Sequence, residues 1–171
     1  MSGSHAARRA AQHWPFDARR HRSYVRSNRE TTVPIAVGAP ILESVRALRM
    51  ALAGEDDAGI GRTSQRVVDT LCDAVSLPRI PVRVGGRRLV RGKIEYYGFC
   101  ARNGWMTLYS RTARRNLVVA FKTYLNTLVH EYMHHYDWHA LRIESMHTSG
   151  FYQRVGHLYR RILGELGEAL G

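Results

Sequence analysis

Apolar positions first acquire a helical spacing at Ile41. Ile41, Leu42, Val45, Leu48, Met50 and Leu52 recur three to four apart, and Gly54 ends the run. The stretch "GEDDAGIG" then reads as a loop. A second stripe of Val67, Val68, Leu71, Cys72 and Val75 predicts a helix over 63–76, with Thr63 or Ser64 as its N-cap and Pro78 and Pro81 beyond its end. The period then changes to two. "IPVRV" alternates, "GG" predicts a turn, and "GKIEYYGFC" and "WMTLYS" predict two further strands joined by the turn sequence "ARNG". Helical spacing returns over 121–141, where Leu125, Leu128, Val129, Tyr132, Met133 and Tyr136 supply apolar faces. After the break "RIESMHTSG", a last helix is predicted over 151–166. Helices on either side of a short sheet make an α+β domain, and the strand pattern predicts three strands of antiparallel type.

Residues 1–30 lack this periodicity. They hold seven arginines against two acids, Asp17 and Glu30. Such a composition predicts a mostly flexible basic arm, followed by a linker or docking strap through "VPIAVGAP" at 33–40. The expected organisation is therefore arm and linker over 1–40 and one folded domain over 41–171.

Chemistry concentrates in the third predicted helix, over 121–141. It contains His130-Glu131-Tyr132-Met133-His134, the pattern H-E-x-x-H. Histidines four apart stand one turn apart on one helical face, so both imidazoles reach one ion. Glu131 is then placed to take a proton from a water that the metal has acidified. A catalytic zinc needs a third protein ligand. The candidates are His135, Asp137, His139, Glu144 and His147. His135 points about 100° away from His134 and reads as a solvated surface residue. Asp137, three residues after His134, is either a carboxylate that orients His134 or an ordinary solvated aspartate. His139 lies off the metal face. Glu144 suits zincins that use a distant glutamate. His147 follows the helix break and precedes Thr148-Ser149-Gly150, where the chain can turn back over the metal, and it is favoured.

The segment "TLVHEYMHHYD…MHTSGFYQRV" resembles the SprT-like (Spartan-related) metallopeptidases. Those proteins pair H-E-x-x-H with a downstream histidine just before a small residue and a phenylalanine, here His147-Thr148-Ser149-Gly150-Phe151. The resemblance implies a zincin-like minimal domain over about 41–165, zinc ligands at His130, His134 and His147, Glu131 as general base, and peptide-bond hydrolysis, with DNA-crosslinked proteins as the best-known substrate class. Two departures stand out. Thr148 occupies the position of the family's usual glycine. The paired Cys-x-x-Cys ribbon of many members has no counterpart, so a second zinc is not expected. Tyr152, Arg154 and His157 follow the third histidine and are further candidates to face the site.

Charge adds a partner. The formal net charge is +12, and 24 of the 26 cations are arginine, a bias that GC-rich coding also produces. Between Arg79 and Arg115 ten cations accompany one acid, Glu95, with Tyr96, Tyr97, Phe99 and Trp105 interleaved. Arginines beside exposed aromatics suit single-stranded nucleic acid. The favoured reading places these aromatics in the core beneath the sheet. The strand "IEYYGFC" is a candidate cleft edge for an extended peptide. Two isolated cysteines, Cys72 and Cys100, predict neither a disulfide framework nor a zinc ribbon and fit a reduced, cytoplasmic setting. No apolar run approaches the ~20 residues of a membrane helix. The expectation is a zinc metalloprotease acting on protein substrates, with DNA or another polyanion as partner. The alternative is a nucleic-acid-binding module with a structural or vestigial zinc. An exported peptidase or toxin is a third reading, disfavoured by the absence of a signal and of disulfides.

Overall fold

The computed structural model describes residues 18–168 apart from Asn103. Five helices and five short strands follow in the order α1 (Ala18–Arg29), α2 (Ala39–Ala53), α3 (Asp57–Asp73), β1 (Val82–Arg87), β2 (Leu89–Arg91), β3 (Ile94–Tyr96), β4 (Gly98–Cys100), β5 (Met106–Arg111), α4 (Phe121–His139) and α5 (Ser149–Glu165). The architecture is mixed α+β. α3 packs on β1, α4 on β4 and β5, α2 on α3, α5 on α4, and α1 on α5. One core runs through these layers, built from residues such as Leu48, Val67, Leu108, Leu128, Phe151 and Leu158. Between α3 and α4, Tyr132 donates its hydroxyl to Leu71 O (3.0 Å), and Ser64 bonds the Tyr124 hydroxyl (3.0 Å). These bonds fix the height of α4 on the core.

The sheet differs from the expected antiparallel type. Its order is β1-β5-β4, with β1 parallel and β4 antiparallel to β5. β2 and β3 form a separate antiparallel hairpin, closed by Gly92 and Lys93. In β5 the alternation is clean: Met106, Leu108 and Ser110 are buried, while Thr107, Tyr109 and Arg111 face outward. The "GG" pair is not a turn. Gly85 stays in β1 because the Tyr109 ring lies over it, where a Cβ would come within 2.9 Å of the ring. The expected single strand "GKIEYYGFC" breaks at Tyr97 into β3 and β4. The Tyr97 ring is held under the Arg88 guanidinium at 3.8 Å, and its carbonyl already accepts from Tyr109 N–H. The turn between β4 and β5 includes Asn103, which lies outside the described residues.

Three helical expectations also shift. α3 starts six residues early, because Asp56 is its N-cap and accepts from Gly59 N–H (2.9 Å). Thr63 instead bonds back to Gly59 O inside the helix. Met50, placed in the apolar stripe of α2, is 72% exposed.

The largest difference concerns the arm. Residues 18–29 are helical rather than flexible, and residues 30–38 form a strap docked on the core through the buried Val33 and Ile35. Residues 1–17 of the expected arm lie outside the described residues. α1 docks through small polar positions and backbone. Ser23 and Ser27 are buried against α5 and the segment before it, and Gly150 N–H donates to Asn28 Oδ1 (3.2 Å). Gly150 is required for this approach, since a Cβ there would lie 1.9 Å from Ser27 O. Among the described residues no helix is long and apolar enough to cross a membrane.

Candidate metal centre

α4 presents His130 and His134 one turn apart. The helix ends at His139, where Ala140 and Leu141 N–H both return to Tyr136 O, and Arg142 takes a positive φ of 54°. Leu141 and Ile143 are buried and anchor the reversal. The chain then crosses back so that His147 immediately precedes Thr148, the N-cap of α5, whose hydroxyl accepts from Phe151 N–H (3.1 Å). Thr148 therefore has a capping role that glycine at this position would lack.

The three imidazoles converge. His147 Nε2 lies 3.0 Å from His130 Nε2 and 3.1 Å from His134 Nε2, and one ligand atom from each residue falls within 4.8 Å of the others. Nitrogens around a tetrahedral zinc with bonds near 2.0–2.1 Å are separated by roughly 3.3 Å, so this donor set fits such an ion. Phe151, fully buried, lies under all three rings, with centroid distances of 5.0, 4.7 and 5.2 Å to His130, His134 and His147. Trp138 stacks on His134 and Tyr152 on His147. Burial pulls the imidazolium pKa down to about 4 at His130 and about 3 at His134, with the neighbouring histidines adding to the effect. Both residues are therefore neutral, with lone pairs available, at ordinary pH.

Glu131 lines the same cleft, of about 400 Å³, together with His130 and His147. Burial raises its carboxyl pKa to about 7, partly offset by a hydrogen bond from the Cys100 backbone. β4 forms the outer edge of its sheet. Tyr97 O and Ala101 N–H face β5, so by the alternation of an antiparallel pair Gly98 and Cys100 direct their backbone groups outward over the cleft. Cys100 N–H meets Glu131, leaving the Gly98 amide and carbonyl at the open edge.

The other candidate ligands lie elsewhere. His135 is buried, not solvated: its Nε2–H donates to Pro78 O (2.8 Å), and the His139 ring lies tilted against it at 4.4 Å. Glu144 is joined to α1 through its own N–H, which donates to Ser23 Oγ (3.1 Å). Asp137 is fully buried and paired with Arg154, whose Nη2 lies 2.8 and 3.0 Å from the two carboxylate oxygens. Asp137 reaches His134 only through Ser145, which bonds both. Arg154 is thus turned away from the cleft, and His157 accepts from Val33 N–H. Of the three residues proposed to follow the third histidine into the site, only Tyr152 touches it.

Three participants were missed: Ser145, Phe151 and Gly98. In the sequence Phe151 stands out only as part of the family motif. Ser145 sits in an irregular segment without periodicity. The only trace of Gly98 is a glycine inside a strand pattern, a known mark of close approach. The sheet aromatics also depart from expectation. Phe99 is 57% exposed, Tyr96, Tyr97 and Trp105 are exposed as well, and Arg83 covers the Trp105 ring at 4.0 Å. No protein-family model, curated protein or solved structure matches this chain.

Proposed function

We propose that the protein is a zinc-dependent metalloprotease of SprT-like, zincin-like type. The observation that carries this reading is the presence, in one cleft beside an open strand edge, of three converging imidazole nitrogens and a buried carboxylate. A zinc ion held by His130, His134 and His147 would supply a polarised carbonyl and an acidified water. The chain's own residues supply the rest. Glu131, whose side chain is buried beside the imidazoles, accepts the proton on its carboxylate. Cys100 N–H orients the carboxylate. The Gly98 amide and carbonyl pair with an extended substrate backbone, which the strand edge holds across the cleft. The unpaired buried thiols Cys72 and Cys100 are in keeping with a cytoplasmic setting.

A second reading, a nucleic-acid-binding module, is favoured by the exposed aromatics and by the Arg83–Trp105 and Arg88–Tyr97 stacks. The two readings combine if a polyanion recruits the enzyme to its substrate.

The test is cleavage by the zinc-loaded full chain of itself and of a basic DNA-binding protein, with and without single-stranded DNA. Cleavage abolished by Glu131→Gln supports the protease. Zinc binding and salt-sensitive DNA binding without any cleavage would replace it with the second reading.

A further inference from the structure

A serine hydroxyl has one proton to give, and at Ser145 both of its neighbours are identified. Ser145 Oγ lies 2.7 Å from His134 Nδ1 and 3.1 Å from Asp137 Oδ2. Asp137 and Arg154 are both fully excluded from solvent and form a two-oxygen ion pair. A carboxylate held in this way by a guanidinium is an acceptor only. The Ser145 proton therefore goes to Asp137. What Ser145 turns toward His134 is a lone pair, so the proton of that contact belongs to His134 Nδ1. The ring's other nitrogen, Nε2, is then bare, and it is the atom 3.1 Å from His147 Nε2 in the cluster.

We propose that Ser145 is a positioning residue of the metal centre: it locks His134 in the Nδ1–H tautomer and presents Nε2 as a ligand, in a direction imposed by the buried Asp137–Arg154 pair. Free imidazole side chains favour the opposite tautomer, with the proton on Nε2, which would block coordination at the position where the rings converge. The lock removes that competition before any ion arrives. Asp137, three residues after His134 on the same helix, acts on it through the intervening hydroxyl.

The direction of the lock is secured from the far side. Arg154 Nη1 donates to Ser27 O (2.7 Å) and to Glu30 O, and Nη2 donates to Ser27 Oγ (3.1 Å). It thus serves carbonyls at the end of α1 that no helical partner can satisfy. A guanidinium spread over these acceptors cannot swing away from Asp137 without stranding them.

The proposal rests on the metal-centre reading, and the tests separate the two. Long-range proton–nitrogen correlation spectra of the zinc-free, ¹⁵N-labelled full chain should show His134 protonated at Nδ1 and bare at Nε2. In Ser145→Ala the signal should shift toward the Nε2–H form. Zinc affinity, measured by competition with a chelator, should fall about tenfold in Ser145→Ala, and Ser145→Thr, which keeps the hydroxyl, should recover most of that loss. A wild-type His134 found as Nε2–H would overturn the lock, as would equal losses in the Ala and Thr variants, which would make Ser145 a packing residue. If wild type binds no zinc, the ligand role falls with the metal reading, while the zinc-free spectra still decide the tautomer.

Discussion

Gly98 and Glu131 meet across the cleft with no room for a side chain between them. A Cβ on residue 98 would lie 2.8 Å from Glu131 Cγ and 3.0 Å from Oε1. It would also lie 3.1 Å from Thr107 O, so the strand cannot simply tilt away. The Gly98→Ala variant should therefore displace the Glu131 carboxylate while leaving the imidazoles in place. We expect kcat/KM for peptide cleavage to fall about 10- to 100-fold, the usual consequence of moving a catalytic group by a fraction of an ångström to one ångström. Zinc affinity should change little. Parallel kinetics and zinc titration check this, and a loss of zinc equal to the loss of rate would place the collision at the ligands instead.

The pH dependence of the metal-free protein has sources of both signs: the buried carboxyls Glu131 and Asp137, raised to about 7 and about 6, against the buried histidines. Glu131 has a folded pKa raised from 4.5 to about 7, so the fold prefers its neutral form. Its contribution is most favourable below 4.5 and is lost as pH rises through 7. Glu131→Gln removes that cost and should stabilise the metal-free chain at pH 8 by up to about 3 kcal/mol, with little gain at pH 4. His130 and His134 act in the other direction. Their pKa values are depressed from 6.5 to about 4 and about 3, so their contribution is full above 6.5 and is lost as pH falls through those values. In the Glu131→Gln background Asp137 still opposes the histidines below pH 6, but two depressed imidazoles outweigh one raised carboxyl, and the melting temperature should drop between pH 6.5 and 4. Thermal melts of both proteins over pH 4–8 test the two signs separately.

The parts of this arrangement that were legible in the sequence are those that follow from periodicity on one element. The spacing of His130 and His134 on α4, the apolar faces of α3 and α4 and the existence of a strand at β5 and a helix at α5 depend on neighbours in the chain. The parallel pairing of β1 with β5 does not, because it joins strands separated by a hairpin and β4. Nor did hydrophobic spacing reveal α1. Its inward face consists of Ser23, Ser27 and backbone carbonyls, which dock through hydrogen bonds rather than apolar burial. His135 departs from expectation for a related reason: helical geometry gives its angle, but not that this side of α4 faces Pro78 rather than water.

Breaking the Asp137–Arg154 pair should cost far more than replacing it. Arg154→Met leaves a buried carboxylate uncompensated and removes the donors to Ser27 and Glu30, so a loss of about 3–5 kcal/mol is expected. The double variant Asp137→Leu with Arg154→Met buries no charge and should regain part of that stability. Its zinc affinity should stay low, because Ser145 is then free to turn its proton toward His134. Urea unfolding and zinc titration of the single and double variants separate stability from ligand orientation. A double variant that recovers both would mean that the pair matters to the fold alone.

α1 should behave as part of the metal centre even though it contributes no ligand. It holds the segment before α5 at two points that flank the third histidine: Ser23 Oγ accepts from Glu144 N–H, and Ser27 Oγ bonds Thr148 Oγ1 at 2.7 Å. Both contacts depend on the approach that Gly150 permits. In Gly150→Ala the added methyl would fall 1.9 Å from Ser27 O and 2.8 Å from Asn28 Cα, backbone that cannot rotate out of the way as a side chain would. The helix must lift, and Arg154 then loses the acceptors on Ser27. We expect hydrogen exchange at the amides of α1 and of residues 144–148 to rise together, and zinc affinity to fall, while the amides of α3 and of the first turns of α4 stay protected. Faster exchange confined to α1, with zinc binding unchanged, would show that the helix only covers the site. A coordinated loss would show that the basic N-terminal helix and the His147 ligand are held by one set of bonds.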